Sequence, residues 1–275
     1  MKILTFSAYY PPYAYGGYEN RVRDVMDGLA ARGHQVNVMT TKPDKTMQVE
    51  SILFDYPVVR TLYGTRRAQG LAERLTTKKS TNRLGVAIIF LRQIWRDIHD
   101  LRIIDQTIKK YQPDLVYLGN VTFLTRSLFP FLASLTISLM LDDGGKTTEI
   151  VYADHGLWYR FLEGYQPKSG PLVFIYHFFI LLVSTLSGGR LKRKWSWPDR
   201  IDAFFNSQNG QESYQAKVIP NNSTKVIQSG LDLEKFAFRP ISHPNRSINI
   251  LVPGRIEPIK GQMDAVRLSS LLSKA

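Results

Sequence analysis

The stretch Lys2–Thr41 constrains the fold more than any other part of this 275-residue chain. Ile3, Leu4 and Phe6 make an apolar run of the length of a buried strand, and Pro11-Pro12 ends it. A glycine pair, Gly16-Gly17, comes next. From Glu19 onward Val22, Val25, Met26, Leu29 and Ala30 recur at helical spacing, while Arg21, Arg23, Asp24, Asp27 and Arg32 take the other face. Gly33 suits a left-handed helix stop, and Val36, Val38 and Thr40 alternate as a second strand. Strand, crossover helix and parallel strand predict an α/β fold.

The first turn of such a helix leaves backbone N–H groups unpaired at the positive end of the helix dipole, which is a place for an anion. Glycines let the backbone approach that anion with no Cβ between them, so Gly16 and Gly17 form a candidate phosphate cradle. The same pair also fits a tight turn that needs positive φ. The dinucleotide pattern G-x-G-x-x-G does not follow this strand, and G-x-x-x-x-G-K-[ST] occurs nowhere. The nearest miss, Gly144-Gly145-Lys146-Thr147, has Met140 where the first glycine belongs. A nicotinamide enzyme and a P-loop ATPase are therefore disfavoured.

A formal charge of +13 asks for anionic company: nucleotide phosphates, an acidic membrane surface or nucleic acid. The basic residues cluster in Arg60–Arg83 and Arg190–Arg200. No helix-turn-helix, zinc-finger or RNP pattern accompanies them, so no nucleic-acid partner is expected. The chain has no cysteine, and its five histidines lack metal-ligand spacing, so no metal is expected. The N-terminal apolar run is too short for a signal peptide. The expected location is the cytoplasm, at the inner face of the membrane where the basic clusters meet it.

Along the remaining chain, Val58, Val59 and Leu62 suggest a third strand, and Gly64–Arg83 a basic loop. A long helical pattern runs from Leu84 to Tyr111 and stops before Gln112-Pro113. Leu115–Leu118 is a short strand with Asn120 at its carboxyl end, where open α/β sheets place ligands and where a solvated turn is the other use of an asparagine. Ser134–Leu141 is another strand, ending in Asp142-Asp143. Two carboxylates there suit a general base or a clamp on sugar hydroxyls, and equally a cap or turn. Pro171–Leu186 is the most apolar window and is followed by Arg190, Lys192, Arg193, Lys194, Trp195 and Trp197. Buried helix, interfacial helix and membrane span are its three readings, its sixteen residues falling short of the ~20 a span needs. Ala203–Ser207 and Lys225–Gln228 read as strands, Ile248–Val252 begins a fresh strand, and a last helix carries Met263, Val266, Leu268 and Leu271.

Three motifs, in this order, resemble the retaining GT-B glycosyltransferases of family 4. They are the opening YYPPYAYGGYENRVRDVMDGLAARGHQVNVMT, the segment KVIQSGLDLEKF from Lys225 to Phe236, and GRIEPIKG from Gly254 to Gly261. The resemblance implies two Rossmann-like domains, an acceptor domain over residues 1–239 and, from 240 to 275, the first strand and helix of a nucleotide-sugar-binding domain. It implies a hexosyltransferase-type activity of polysaccharide biosynthesis, with a UDP- or GDP-linked sugar as co-substrate and no further cofactor. Arg255 and Lys260 would grip the donor diphosphate together with Gly16 and Gly17. Asp142 or Asp143 would orient the acceptor or polarise its hydroxyl. Asn120 and His155 are acceptor-side candidates.

The chain departs from the family pattern at three places. Asp142-Asp143 stand where the family usually carries a histidine, Gln228-Ser229-Gly230 replaces Pro-Asn-Gly, and no pair of glutamates has the family's seven-residue separation. Most of the donor domain is then absent, and the 275 residues alone are expected to be weak or inactive. The alternative is a non-catalytic acceptor- or membrane-binding module docking through Pro171–Trp197.

Overall fold

A computed structural model describes residues 1–13, 16–43, 53–64, 83–121, 124–125, 128–143, 185, 201–215, 224–228, 230, 251–252, 254 and 261–272, with the side chains at 83–91, 129–130, 143 and 213–215 left undescribed. The chain divides into two compact units, Met1–Ser229 and Gly230–Ala275.

In the first unit the opening unfolds as expected: β1 (Lys2–Ser7), α1 (Gly17–Ala31) and β2 (Gln35–Thr41). Gly33 adopts φ 82°, and the N–H groups of Gly33 and His34 close the helix on the carbonyls of Ala30 and Leu29. Then come β3 (Val58–Leu62), α2 (Arg83–Tyr111), β4 (Leu115–Leu118), α3 (Leu128–Ala133), β5 (Ser138–Asp143), β6 (Ile201–Phe205), α4 (Gln208–Gln215) and β7 (Thr224–Val226). The strands form one seven-stranded sheet in the order β3-β2-β1-β4-β5-β6-β7, every pair parallel. This is a Rossmann-like α/β sheet.

Alternation along the strands feeds two cores. Ile3, Val36, Val38 and Tyr117 pack with Val22 and Met26 of α1. Leu4, Phe6, Met39, Val116 and Leu118 point the other way, onto Ile94, Leu101, Ile104 and Ile108 of α2 and Leu128 and Leu132 of α3. A one-residue slip of β1 would exchange Ile3 with Leu4 and Phe6 between the two layers, so register is fixed by burial on both faces.

Three boundaries differ from the sequence expectations. β5 starts at Ser138 rather than Ser134, because α3 ends in a tight turn that bonds the N–H groups of Ser134 and Leu135 to the carbonyls of Phe131 and Leu132. β6 stops at Phe205, and Ser207 instead caps α4, its Oγ accepting the Gly210 N–H at 3.1 Å. β7 covers Thr224–Val226, so Ile227 and Gln228 lie beyond it.

In the second unit α5 (Gln262–Leu272) forms where expected, with Met263, Val266, Leu268 and Leu271 exposed. Leu251 and Val252 are in no strand, and 248–250 lie outside the described residues. Apart from Thr185, the Pro171–Trp197 region also lies outside them. Among the described residues no helix is long and apolar enough to cross a membrane.

Candidate active site

The strand order reverses between β1 and β4. From β1 the chain crosses by α1 on one face, whereas α3, which follows β4, packs on the other. The carboxyl ends of β1 and β4 thus open the crevice in which parallel α/β sheets hold ligands. Pairing continues past the strands, as the Gly119 N–H donates to the Phe6 carbonyl at 3.0 Å and the Ala8 N–H to the Asn120 carbonyl. A Cβ on Gly119 would stand 2.8 Å from Val22 Cγ2 and 3.1 Å from its Cγ1. The absence of that carbon lets α1 cross the end of β4 this closely.

Gly16 and Gly17 lie at the mouth of the crevice, both exposed. Gly16 is the N-cap of α1 and is extended, with φ −168° and ψ −171°, a conformation open to any residue. Its added Cβ would meet nothing closer than Glu19 Oε2 at 3.7 Å, and one on Gly17 would meet nothing within 4 Å. Positive φ falls instead on Gly33, Gly64, Gly254 and Gly261 among the described glycines. The pair thus does not form a turn that needs positive φ, and no packing among the described residues asks for glycine here. Gly16 itself offers no capping side chain, and among the described residues the Glu19 carboxylate alone takes a backbone donor at this end of α1, the Gly16 N–H.

Glu19, which sequence reasoning passed over, ties the crevice together. Only 4% exposed, its Oε2 accepts the Gly16 N–H at 2.9 Å and its Oε1 accepts Asn120 Nδ2–H at 2.9 Å. Asn120 thus sits at the predicted strand end, with its amide joined to α1. A glutamate three residues after an N-cap position is the one sequence signal that could have found this bridge.

Asp142 is 2% exposed at the end of β5. Arg21 Nη2 lies 2.9 Å from its Oδ1, Tyr117 Oη–H donates to its Oδ2 at 2.5 Å, and Tyr18 Oη–H donates to its backbone carbonyl. Burial, reinforced by the Asp142 carboxylate, pushes the Tyr117 phenol well above its ordinary value, so it stays a donor. Asp143 is the last residue of β5.

The loop between β1 and α1 is held from behind. Arg60 of β3 donates to the carbonyls of Tyr10 at 3.1 Å and Pro11 at 2.5 Å, and its guanidinium lies 5.0 Å from the Tyr13 ring centroid. Tyr10 and Tyr56 share a hydroxyl hydrogen bond of 2.6 Å, and Tyr56 Oη–H donates to Asp27 Oδ1 at 2.5 Å. Nothing in the sequence pattern singles out this cluster, because its members come from distant elements.

Arg255, Lys260 and His155 lie outside the described residues. Gly254 and Gly261, which bracket Arg255 and Lys260, adopt φ 148° and 72°. Among the described residues no three His, Asp or Glu side chains are grouped to hold a metal. A separate cleft of about 500 Å³, lined by Asp27, His34, Asp55, Tyr56 and Tyr111, opens at the amino ends of β2 and β3, the opposite edge from the crevice.

Residues 15–235 match the model of Glycosyltransferase Family 4. The chain belongs to glycosyltransferase family 4. No curated protein matches it. Among solved structures it is similar to sucrose-phosphate synthase from Thermosynechococcus elongatus, at 13% identity and TM-score 0.42 over 85% of this chain and 49% of that one. It is also similar to MurG from Acinetobacter baumannii, at 14% identity and TM-score 0.30 over 85% of this chain and 69% of that one. The family 4 chain thus spans about half the length of that synthase.

Proposed function

We propose that this chain forms the acceptor side of a retaining, metal-independent glycosyltransferase that moves a sugar from a UDP- or GDP-linked donor to a glycan or lipid-linked acceptor. The observation that carries the reading is the pair of exposed glycines at the start of α1, which neither their backbone conformation nor packing among the described residues requires, and beside which Glu19 holds only the Gly16 N–H. Backbone N–H groups and the helix dipole there suit a diphosphate. Membership in family 4 supplies the class of reaction.

As the bond from the anomeric carbon to the diphosphate breaks and the bond to the acceptor oxygen forms, negative charge grows on the phosphate. Fixed donors aimed at it lower the barrier. Gly16 and Gly17 supply the approach, and Arg255 and Lys260 the cations. Asp142, buried and shared by Arg21 and Tyr117, acts by positioning, which leaves Asp143 to meet the acceptor hydroxyl. Residues 1–239 constitute the acceptor domain, and residues 240–275 the start of the donor domain. A membrane surface is met through Pro171–Trp197.

Calorimetric titration with UDP, GDP and their sugar conjugates tests the reading. Gly17→Ala meets open space and keeps the fold, yet sets a methyl group in the anion's path, so nucleotide affinity falls about tenfold or more while the melting temperature holds. Arg255→Ala and Lys260→Ala lose affinity as well. A folded wild-type chain that binds none of these nucleotides overturns the donor-site reading and leaves a non-catalytic acceptor- or membrane-binding module.

A further inference from the structure

A second cluster occupies the carboxyl edge of the sheet, beside the crevice and apart from it. Lys42 follows β2, and Tyr63 follows β3. On α2, Arg92, Trp95, Arg96 and His99 share one face at spacings of three and four residues. The rings of Tyr63, Trp95 and His99 stand together, with centroids 5.7 Å apart for Tyr63–Trp95, 4.9 Å for Tyr63–His99 and 5.6 Å for Trp95–His99. Lys42 Nζ lies 4.2 Å from the Tyr63 centroid and the Arg96 guanidinium 5.6 Å from it. Trp95 remains 58% exposed.

The cluster is held in place from beneath. Asp100, 1% exposed, accepts the N–H groups of Tyr63 at 3.0 Å and Gly64 at 3.1 Å, and its Oδ1 lies 3.4 Å from His99 Nδ1. Gln93 Nε2–H donates to Asp97 Oδ1 at 2.7 Å, and both residues are buried. The two carboxylates face inward, whereas Lys42, Arg92 and Trp95 face solvent. A buried carboxylate fixing the turn that carries an aromatic ring gives a preorganised surface, which binds without the cost of ordering it first.

We infer that Trp95, with Tyr63, His99, Lys42, Arg92 and Arg96, forms a subsite for a saccharide that bears negative charge, the part of the acceptor lying beyond the reacting unit. An exposed indole offers an apolar face to the C–H side of a pyranose ring, and the guanidinium and ammonium groups around it match a uronate or phosphate substituent. Placement agrees: β2 and β3 are the strands next to β1 on one side, so at about 4.8 Å per strand the subsite is one or two sugar units from the crevice. An anionic membrane fits less well. Among the described side chains of α2, Trp95 is the one large apolar group exposed, while Ile94, Leu101, Ile104 and Ile108 face the core, so residues 92–111 present no apolar band to insert.

The choice of a saccharide rests on the glycosyl-transfer reading, and nucleotide titration tests that reading separately. For the subsite, the chain is titrated with hexagalacturonate, phosphorylated maltohexaose and neutral maltohexaose, and sedimented with phosphatidylglycerol vesicles. An anionic oligosaccharide binds better than the neutral one, Trp95→Ala weakens it about tenfold, Trp95→Phe restores most of it, and added salt weakens it. The inference stands on that result even if no nucleotide binds. It falls if neither anionic oligosaccharide binds, if Trp95→Ala binds as wild type, or if the vesicles alone bind and do so through Trp95.

Discussion

Arg21 reaches from the second turn of α1 to the buried end of β5, where its Nη2 lies 2.9 Å from Asp142 Oδ1. With Tyr18 on the Asp142 carbonyl and Tyr117 on its other carboxylate oxygen, the pair ties the helix that starts at Gly17 to the strand that ends in Asp143. The start of α1 and the end of β5 are thereby set in one register, as the proposed anion and acceptor sites require. Arg21→Ala strands a buried carboxylate and destabilises the chain by about 3–5 kcal/mol, read as a fall in the urea midpoint. The double variant Arg21→Met, Asp142→Asn removes both charges, keeps a carbonyl for Tyr117 and loses less than Arg21→Ala.

Gly119→Ala tests the crossing of α1 over β4. The new methyl would stand 2.8 Å from Val22 Cγ2, and because Val22 is fully buried it has nowhere to turn. Pushing helix from sheet costs about 1–3 kcal/mol. Val22→Ala opens space at the same point, so the double variant in a mutant cycle is more stable than the sum of the single losses predicts.

Asp100 gives a pH dependence of known sign. Burial raises its carboxyl above the ordinary 3.8, with the Tyr63 and Gly64 amides pulling it partly back. The native state therefore holds this proton more tightly than the unfolded chain, and stability falls as pH rises from the ordinary value through the raised one. Asp100→Asn keeps an acceptor for the amides and cannot ionise. Thermal melts from about pH 4 upward show wild type losing ground relative to Asp100→Asn as pH rises.

Legibility followed the range of each signal. The β1-α1-β2 unit, α2 and β4 were readable because hydrophobic period and helix stops act within a few residues, and Gly33 stops α1 as its place in the pattern implied. α4 was not, since QNGQESYQ has no apolar period and only Ser207 announces it. At the site, Gly16 and Gly17 were visible as a loop signal, but whether they formed a positive-φ turn depended on φ values that no sequence prints. The partners of Asp142 and Asn120 were invisible for a different reason. Arg21, Tyr117 and Glu19 reach them across the sheet, so the pairs are facts of topology rather than of local pattern.

The Glu19–Asn120 bridge carries the last prediction. Asn120 Nδ2 lies 2.9 Å from Glu19 Oε1, and Glu19 Oε2 holds the Gly16 N–H, so one carboxylate joins β4 to the N-cap of α1. Asn120→Asp replaces the donor with a second carboxylate at the same distance. Two like charges buried together cannot both ionise freely, so the folded pair holds a proton to a higher pH than the unfolded chain does. Relative to wild type, which has a neutral amide at this place, the variant then loses stability as pH rises through the raised value of the new pair. Beyond it, the unmade bond and the repulsion together cost about 1–3 kcal/mol, and the N-cap they release no longer holds Gly16 in the crevice. Melts of both proteins across acidic and neutral pH check the stability, and nucleotide titration at neutral pH shows the variant binding more weakly than wild type; equal binding would mean that the cradle keeps its shape without the bridge.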